Sequence, residues 1–521
     1  MTTLRMFGTF LPTKAAAAGL LFLSAASLGQ PALAAPVLSL SPTVSPPTTN
    51  VNVAAGGFAA GALVDIYFDT TDLCLTVASA TGNASCVIKV PKDAQPQFHW
   101  ITAAQRNTGT GVQKPFLVRT DWPQFHGRNA AHSGVNPYEN TLNPSNVADL
   151  DILWHASIGT SGTASAPVVW GGNVYLPTFD GFLYAFSTRT GTPVPGFPKT
   201  LGGEVRDGSP AVGWGNVYVA TGAGDNKLYA FNALNGQSIA GFPIPLGGPT
   251  YASPTLYGGN IYVSCGDGNV YAFNGRTGTA VPGFPVSISA AGQNGGAVSA
   301  ADGRIFVGSL YGTLRTFDAQ TGAAVSGYPT GYPVNTSAIY GTPVLTSGRA
   351  FYSSLNAVNG LRVDFGSPLA GFPIPVAGTL RSSPAVGKGH LIVGSQDGHV
   401  YSFNPAGGAL RWNTALDSRV DSSPIIANGV VFLNTLTSLY ALDLSTGAPL
   451  WQATIGQHLE YASPVVADGM VFAGVLAGLY AFSVDGVAPT KALPGGELGI
   501  KPAVSSLKPD RSLKASTASS G

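Results

Sequence analysis

Ser383-Pro384-Ala385-Val386, Leu391-Ile392-Val393-Gly394-Ser395, Asp397-Gly398 and Val400-Tyr401-Ser402-Phe403 make up one unit of a repeat running from Ala166 to Phe482. The proline or its equivalent returns at Pro167, Pro210, Pro254, Val298, Pro343, Pro384, Pro424 and Pro464, at intervals of 43, 44, 44, 45, 41, 40 and 40 residues. Each unit holds three or four short runs of β-branched and aromatic residues separated by turn residues. A period of about 42 residues with this content predicts propeller blades, not helical solenoid turns. Eight units predict an all-β, eight-bladed β-propeller.

Within a unit, the stretch at the proline is the inner strand. A Val217-Tyr218-Val219 type run is the second, and a Leu228 to Phe231 type run is the third. Alternation leaves both faces apolar, as face-to-face stacking requires. At the outer edge, units six and seven carry Trp412 and Trp451. Units one to three and five carry Gly196-Phe197-Pro198, Gly241-Phe242-Pro243, Gly283-Phe284-Pro285 and Gly371-Phe372-Pro373 in the same place, and unit four has Gly327-Tyr328-Pro329. Unit eight ends at Phe482 without an outer strand. Leu150-Asp151-Ile152-Leu153-Trp154 is expected to supply it, closing the ring and removing the open sheet edges.

The remaining segments follow from composition. Arg5 and Lys14, the apolar run Ala15 to Leu28 and Ala32-Leu33-Ala34 read as a signal peptide over residues 1–34, so the mature chain is expected to be periplasmic or extracellular. No later stretch is apolar for long enough to span a membrane. Residues 35–119 hold six short runs, among them Val64 to Phe68 and His99 to Ala103, that predict a small β-sandwich. Its Gly57-Phe58-Ala59-Ala60-Gly61 turn before Val64 resembles the immunoglobulin-like modules of bacterial secreted proteins. Residues 120–149 are a lead-in expected to lie across the propeller, which occupies 150–486. Residues 487–521, rich in Pro, Ser, Gly, Ala and Lys, read as a disordered tail. Cys74 and Cys86 flank an expected hairpin turn at Thr81-Gly82-Asn83 and pair as a disulfide in an oxidising compartment. The lone Cys265 reads as a half-buried small hydrophobe. With 26 Lys and Arg against 25 Asp and Glu, scattered along the chain, nothing provides an electrostatic footprint for nucleic acid.

Ala441-Leu442-Asp443-Leu444-Ser445-Thr446-Gly447-Ala448-Pro449-Leu450-Trp451 resembles the tryptophan-docking repeat of the pyrroloquinoline-quinone type propellers. Phe317 to Gly322 and Phe273 to Gly278 are partial copies, and Trp122-Pro123-Gln124-Phe125-His126-Gly127 is similar to that superfamily's opening segment. The resemblance implies the fold and one of two functions. Quinoprotein dehydrogenases oxidise alcohols or sugars with the quinone and Ca²⁺. Non-catalytic propellers include the outer-membrane assembly lipoprotein of Gram-negative bacteria. This chain has no adjacent cysteine pair and no Cys-x-x-Cys-His haem site, and no Glu, Asn and Asp set for Ca²⁺ can be assembled from its sequence. Trp170 and Trp214 fall in turns, a poor place for a platform under a central cofactor. The expectation is an exported non-catalytic binding or scaffold protein without cofactor, metal or catalytic residues, whose partner is a protein, peptide or glycan of the cell envelope. The alternative is an atypical quinone- and Ca²⁺-dependent oxidoreductase of alcohols or sugars.

Candidate sites are few. Asp180-Gly181, Asp267-Gly268 and Asp397-Gly398 are hairpin turns before they are Ca²⁺ loops. His126 and His132, six residues apart, are a faint metal signal. One position stands out. Three residues before each proline the chain approaches the channel mouth, and there it carries Ala164, Asp207, Tyr251, Gly295, Tyr340, Arg381, Asp421 and Tyr461 in turn. Mixed aromatic and charged residues around a concave mouth suit a small polar ligand or a peptide. The competing reading makes them solvated side chains that pair with neighbours, such as Arg381 with Asp421.

Overall fold

The computed structural model describes residues 35–159, 161–288, 296–325, 338–364, 366–456, 462–486 and 501–515. The segment read as a signal peptide, the triplet Gly327-Tyr328-Pro329 and the mouth positions Gly295 and Tyr461 lie outside the described residues.

The first unit contains β1 (Val37–Ser41), β2 (Val44–Ser45), β3 (Asn50–Gly56), β4 (Leu63–Phe68), β5 (Thr71–Val77), β6 (Ala84–Lys89), β7 (Phe98–Gln105) and β8 (Gly111–Val118). One sheet has the order β1-β3-β6 and the other β2-β8-β7-β4-β5. Alternation decides which side faces in. Val51 and Val53 are buried while Asn50 and Asn52 are exposed. They meet Val64, Ile66, Ile101 and Phe116 of the second sheet in one apolar core. The Cys74–Cys86 disulfide is present, with its Cα atoms 6.7 Å apart. It does not close a hairpin, however. β5 and β6 lie in different sheets because the turn Ser79–Asn83 carries the chain from one layer to the other. The bond therefore ties the two layers together. Residues 501–515, part of the segment read as disordered, run along this sandwich instead. Gln113 donates to the Pro502 carbonyl (2.6 Å), the Asp510 amide donates to Asp72 (2.8 Å), and the Lys501 ammonium sits 5.1 Å over the Trp100 ring.

Eight further sheets follow. The first has strands Val168–Trp170, Asn173–Pro177, Phe182–Ser187 and Lys199–Thr200, from the centre outward. The inner strands touch in chain order, and the last, Val465–Ala467, touches the first. Leu150–Ala156 pairs antiparallel with Gly478–Val484 and supplies the outer strand of the last sheet. One β-propeller ring results, in which the first and last strands of the propeller share a blade. The Gly-Phe-Pro triplets are turns that lead into outer strands of only two residues, such as Ile244–Pro245. The tryptophan-bearing outer strands Leu410–Ala415 and Pro449–Thr454 have six.

Neighbouring blades dock through one recurring acceptor, the backbone carbonyl just past the third strand. Trp154 and Trp412 donate their indole N–H to the Thr188 and Leu444 carbonyls of the next blade (2.8 and 2.9 Å). Blades one to three have no such tryptophan. There the second-strand tyrosines Tyr175, Tyr218 and Tyr262 donate to Ala233, Gly275 and Ala319 (2.7, 2.5 and 2.6 Å). In blades four and five the tyrosine is replaced by Phe306 and Phe351. Arg304 and Arg349 reach the equivalent carbonyls of Val363 and Pro405 (3.1 and 3.3 Å). The same turn receives a close backbone contact. Gly196 of blade one sits against Gly236 of blade two, both at positive φ, and a Cβ on Gly196 would come within 2.0 Å of the Asn235 carbonyl oxygen.

The lead-in does more than cross the propeller. It runs around the inside of the ring and contacts every blade two residues after the proline. The amides of Val169, Val212, Leu256, Ala300, Leu345, Val386 and Ile426 donate to Trp122 O, Pro123 O, Gln124 Oε1, Ala130 O, Ala131 O, Ser133 O and Gly134 O, all within 3.0 Å. In the eighth blade Asn136 Nδ2 donates to the Val466 carbonyl (2.9 Å). An inner strand would otherwise present its unpaired edge to the channel.

Two substitutions separate packing from docking. Phe231 is buried between blades and stacks on Tyr229. Phe231→Ala should destabilise by about 3–5 kcal/mol by emptying that site. Tyr262→Phe keeps the ring and strands the Ala319 carbonyl, at a cost of about 1–3 kcal/mol. Urea unfolding of both variants measures the difference. Equal losses would mean that the inter-blade hydrogen bond matters as much as the packed ring.

Candidate functional site

Four of the mouth residues come together. Asp207, Tyr251, Tyr340 and Arg381 line one cavity of about 210 Å³ at the centre of the ring. The register explains this. Two residues past the proline the inner strand is held by the lead-in, so three residues before it the chain stands one level higher, above that layer. Phe125 of the lead-in also lines the cavity. The Arg381 guanidinium lies 5.2 Å over the Tyr340 ring, a contact that fixes the plane of the fork. Tyr251 packs on the backbone of Gly222, where a Cβ would stand 2.9 Å from the ring.

The other mouth positions differ. Asp421, a candidate mouth residue in the sequence, is only 4% exposed and does not line the cavity. Arg419 holds it at 2.9 Å and Gln396 donates to it at 2.7 Å. Ala164 is buried and adds no polar group.

A belt of hydroxyls just below the mouth escaped the reading of the sequence. The residue before the proline accepts the N–H of the same position in the preceding blade. Ala166 donates to Ser209, Ser209 to Ser253, Ala297 to Thr342, Thr342 to Ser383, Ser383 to Ser423 and Ser423 to Ser463, at 2.8–3.0 Å. Ser253, Thr342, Ser383 and Ser423 line the cavity. The signal was present as six Ser-Pro or Thr-Pro pairs at the repeat period.

His126 and His132 do not form a metal site. Both are buried and braced against backbone carbonyls. His126 contacts Pro424 O and His132 O (2.8 and 3.0 Å), and His132 contacts Val298 O (3.0 Å) and Phe125 O. They clamp the lead-in to the seventh and fourth blades. Gly134 must stay small for this, since a Cβ there would lie 2.6 Å from the His126 ring. Burial pushes both imidazoles down to about 4, against the opposing pull of those carbonyls. The Asp-Gly turns are equally occupied. Asp267 and Asp397 accept from Tyr271 (2.6 Å) and Tyr401 (2.7 Å). Cys265 is fully buried against the Gly248 carbonyl.

A quinone held with Ca²⁺ would need several convergent oxygen donors. Among the described residues no group of three or more His, Cys, Asp or Glu side chains converges. Among the described residues that line the cavity the charged side chains are Asp207 and Arg381.

A family model described as outer membrane protein assembly factor BamB matches residues 198–367 and 362–474, more than half of the chain. Among solved structures the chain is similar to BamB from Moraxella catarrhalis, with 16% identity over 64% of this chain and 97% of that one and a TM-score of 0.52. It is similar to the quinohemoprotein alcohol dehydrogenase of Comamonas testosteroni, with 16% identity over 71% and 82% and a TM-score of 0.56. A europium-containing methanol dehydrogenase aligns at 14% identity over 69% and 98%, with a TM-score of 0.52. At these identities the likeness concerns the fold. No curated protein matches the chain in sequence.

The buried histidines set a pH dependence. Their folded value near 4 lies below the ordinary value of 6.5, so the unfolded chain binds more protons between those limits. Each therefore stabilises above pH 6.5, and that contribution fades as pH falls toward 4. Asp121, which burial pushes up to about 7, acts in the opposite sense over the same range. Comparison with a His126→Gln variant isolates the histidine. The stability gap between the two proteins should shrink by roughly 3 kcal/mol from pH 7 to pH 4. A gap that stays constant would show that His126 does not titrate there.

Proposed function

The chain belongs to the family of the outer membrane protein assembly factor BamB, and from that premise we propose that it is a non-catalytic binding or scaffold protein acting in the cell envelope or outside the cell. Its binding site in this reading is the mouth cavity, and its partner is a protein, peptide or glycan of the envelope. The observation that carries the reading is the composition of this cavity. Its described lining brings together aromatic rings, hydroxyls, Asp207 and Arg381, a composition suited to recognition. The Cys74–Cys86 disulfide supports an oxidising compartment. Among the described residues no helix is long and apolar enough to cross a membrane. We take the sandwich as an immunoglobulin-like module that adds a second contact surface or a spacer.

The second reading is an oxidoreductase using pyrroloquinoline quinone and Ca²⁺, favoured only by the likeness of fold to the alcohol dehydrogenases. Addition of quinone and Ca²⁺ to the mature protein should give no dye reduction with alcohols or sugars, and clear turnover would overturn the binding reading. In parallel, Arg381→Ala and Tyr251→Ala should lower retention of envelope peptides and glycans on the immobilised protein. Because Arg381 is partly solvated, its removal should cost only about 0–1 kcal/mol of stability, which thermal melts check. Retention unchanged in both variants would place binding elsewhere on the molecule.

A further inference from the structure

Alternation fixes which side chains of the five-stranded sandwich sheet turn away from its core. Val64, Ile66, Phe68, Ile101 and Ala103 face inward, so Asp65 and Tyr67 of β4 and Trp100 and Thr102 of β7 stand on the outer face. The outer face of such a sheet is ordinarily solvated. Here Asp65, Tyr67 and Thr102 are each no more than 1% exposed. Two features of the described chain lie over this face. Arg106 folds across Asp65, whose carboxylate accepts from its Nε at 2.9 Å, and residues 501–515 run along the same side. In that segment Pro502, Val504, Leu507, Pro509 and Leu513 are half-buried, while Ala503, Ser505, Ser506, Lys508 and Asp510 are exposed. A largely extended stretch, broken by the single turn Val504–Ser506, thus lays one side on the sheet.

The polar contacts are directed at the segment's main chain. Gln113 donates to the Pro502 carbonyl and also to Thr102 Oγ1 at 3.1 Å, which fixes its amide. Asp72 accepts the Asp510 amide, and Arg106 reaches the Asp510 carbonyl at 3.4 Å. Two side-chain contacts add selectivity. The Lys501 ammonium sits over Trp100, and Val504 packs on Gly111, where a Cβ would stand 2.8 Å from its Cγ1. Main-chain hydrogen bonds with shallow side-chain seats are how a sheet receives an extended peptide. So few contacts hold weakly between separate molecules, but a covalent tether supplies an effective concentration on the order of millimolar. We propose that the outer face of this sheet, from Trp100 and Gln113 to Asp72, is a docking site for an extended polypeptide that carries a cation at its N-terminal end and small apolar side chains after it, and that residues 501–515 occupy it within the same chain. A partner segment of that chemistry reaches the face by displacing them. The inference deepens the reading of the sandwich as a contact surface and is independent of the mouth cavity.

Fluorescence anisotropy with a labelled synthetic peptide of residues 501–515 tests this on the full chain. In a double variant, Val504→Asp with Leu507→Asp, the tail should leave the face, and trypsin should cut after Arg511 about tenfold faster than in the unsubstituted protein. The peptide should bind that variant about tenfold or more tightly than it binds the unsubstituted protein, whose own tail fills the site. Adding Gln113→Ala or Trp100→Leu to the double variant should weaken peptide binding about tenfold in each case. A peptide carrying Lys501→Ala should lose affinity where Trp100 is present and lose nothing further where it is Leu. Thermal melts confirm that the variants fold. Equal cutting after Arg511 in both proteins overturns the proposal. So does a peptide that fails to bind the double variant, or one whose binding ignores both face substitutions. Sedimentation that finds the unsubstituted chain dimeric and the double variant monomeric would overturn occupancy within one chain. Failure of any of these leaves retention at the mouth, read with Arg381→Ala, unaffected.

Discussion

The innermost strand of each blade turns one edge to the channel, in the seventh blade paired there with Val135–Asn136 of the lead-in as a parallel strand beside Ile425–Ala427, and the rest of the molecule is arranged around that edge. The lead-in answers it at one level, with a hydrogen bond to each blade two residues past the proline. The hydroxyl belt answers it one residue before the proline, by joining each strand to the next at six junctions. Above both levels, the side chains three residues before the proline are released from ring building. That is where Asp207, Tyr251, Tyr340 and Arg381 differ from blade to blade. Regular positions serve the ring and irregular ones face the cavity.

The blades themselves are held by a conserved acceptor geometry met by three different donors. An indole N–H, a phenol and a guanidinium all reach the same carbonyl of the next blade. The donor follows from what the outer strand supplies. Where it is long and carries Trp412, the indole covers Gly447 and reaches Leu444. Where it shrinks to two residues after Gly-Phe-Pro, the second strand provides the donor instead. The buried acceptor must be paired, and the repeat tolerates wide sequence change as long as some side chain pairs it.

This explains what could be seen in the sequence. The third-strand ladder, for instance Tyr401 stacked on Phe403 at 6.1 Å, repeats its residue types and is legible by eye. So is the strand at Trp154 that shares a blade with Phe482, because an unfinished last unit demands a donor. The disulfide was legible from two cysteines, but its role between layers was not, since nothing local tells a hairpin from a crossover at Ser79–Asn83. The lead-in hid for a different reason. It is held mainly by its backbone carbonyls, which carry no side-chain pattern, and its histidines are clamps that mimic a metal signal. Asp421 misled because burial depends on Arg419, two residues away, and not on its place in the repeat.

The lead-in seals the inner edge of the ring and lines the mouth cavity through Phe125. Amide hydrogen exchange on the full chain tests this directly. The amides of Val169, Val212, Ala300, Leu345, Val386 and Ile426, each bonded to the lead-in, should exchange only through global opening of the propeller and rank among its slowest. If these amides exchange quickly while the second strands of the same blades stay protected, the lead-in is not seated and the inner edge of the ring is open to the channel.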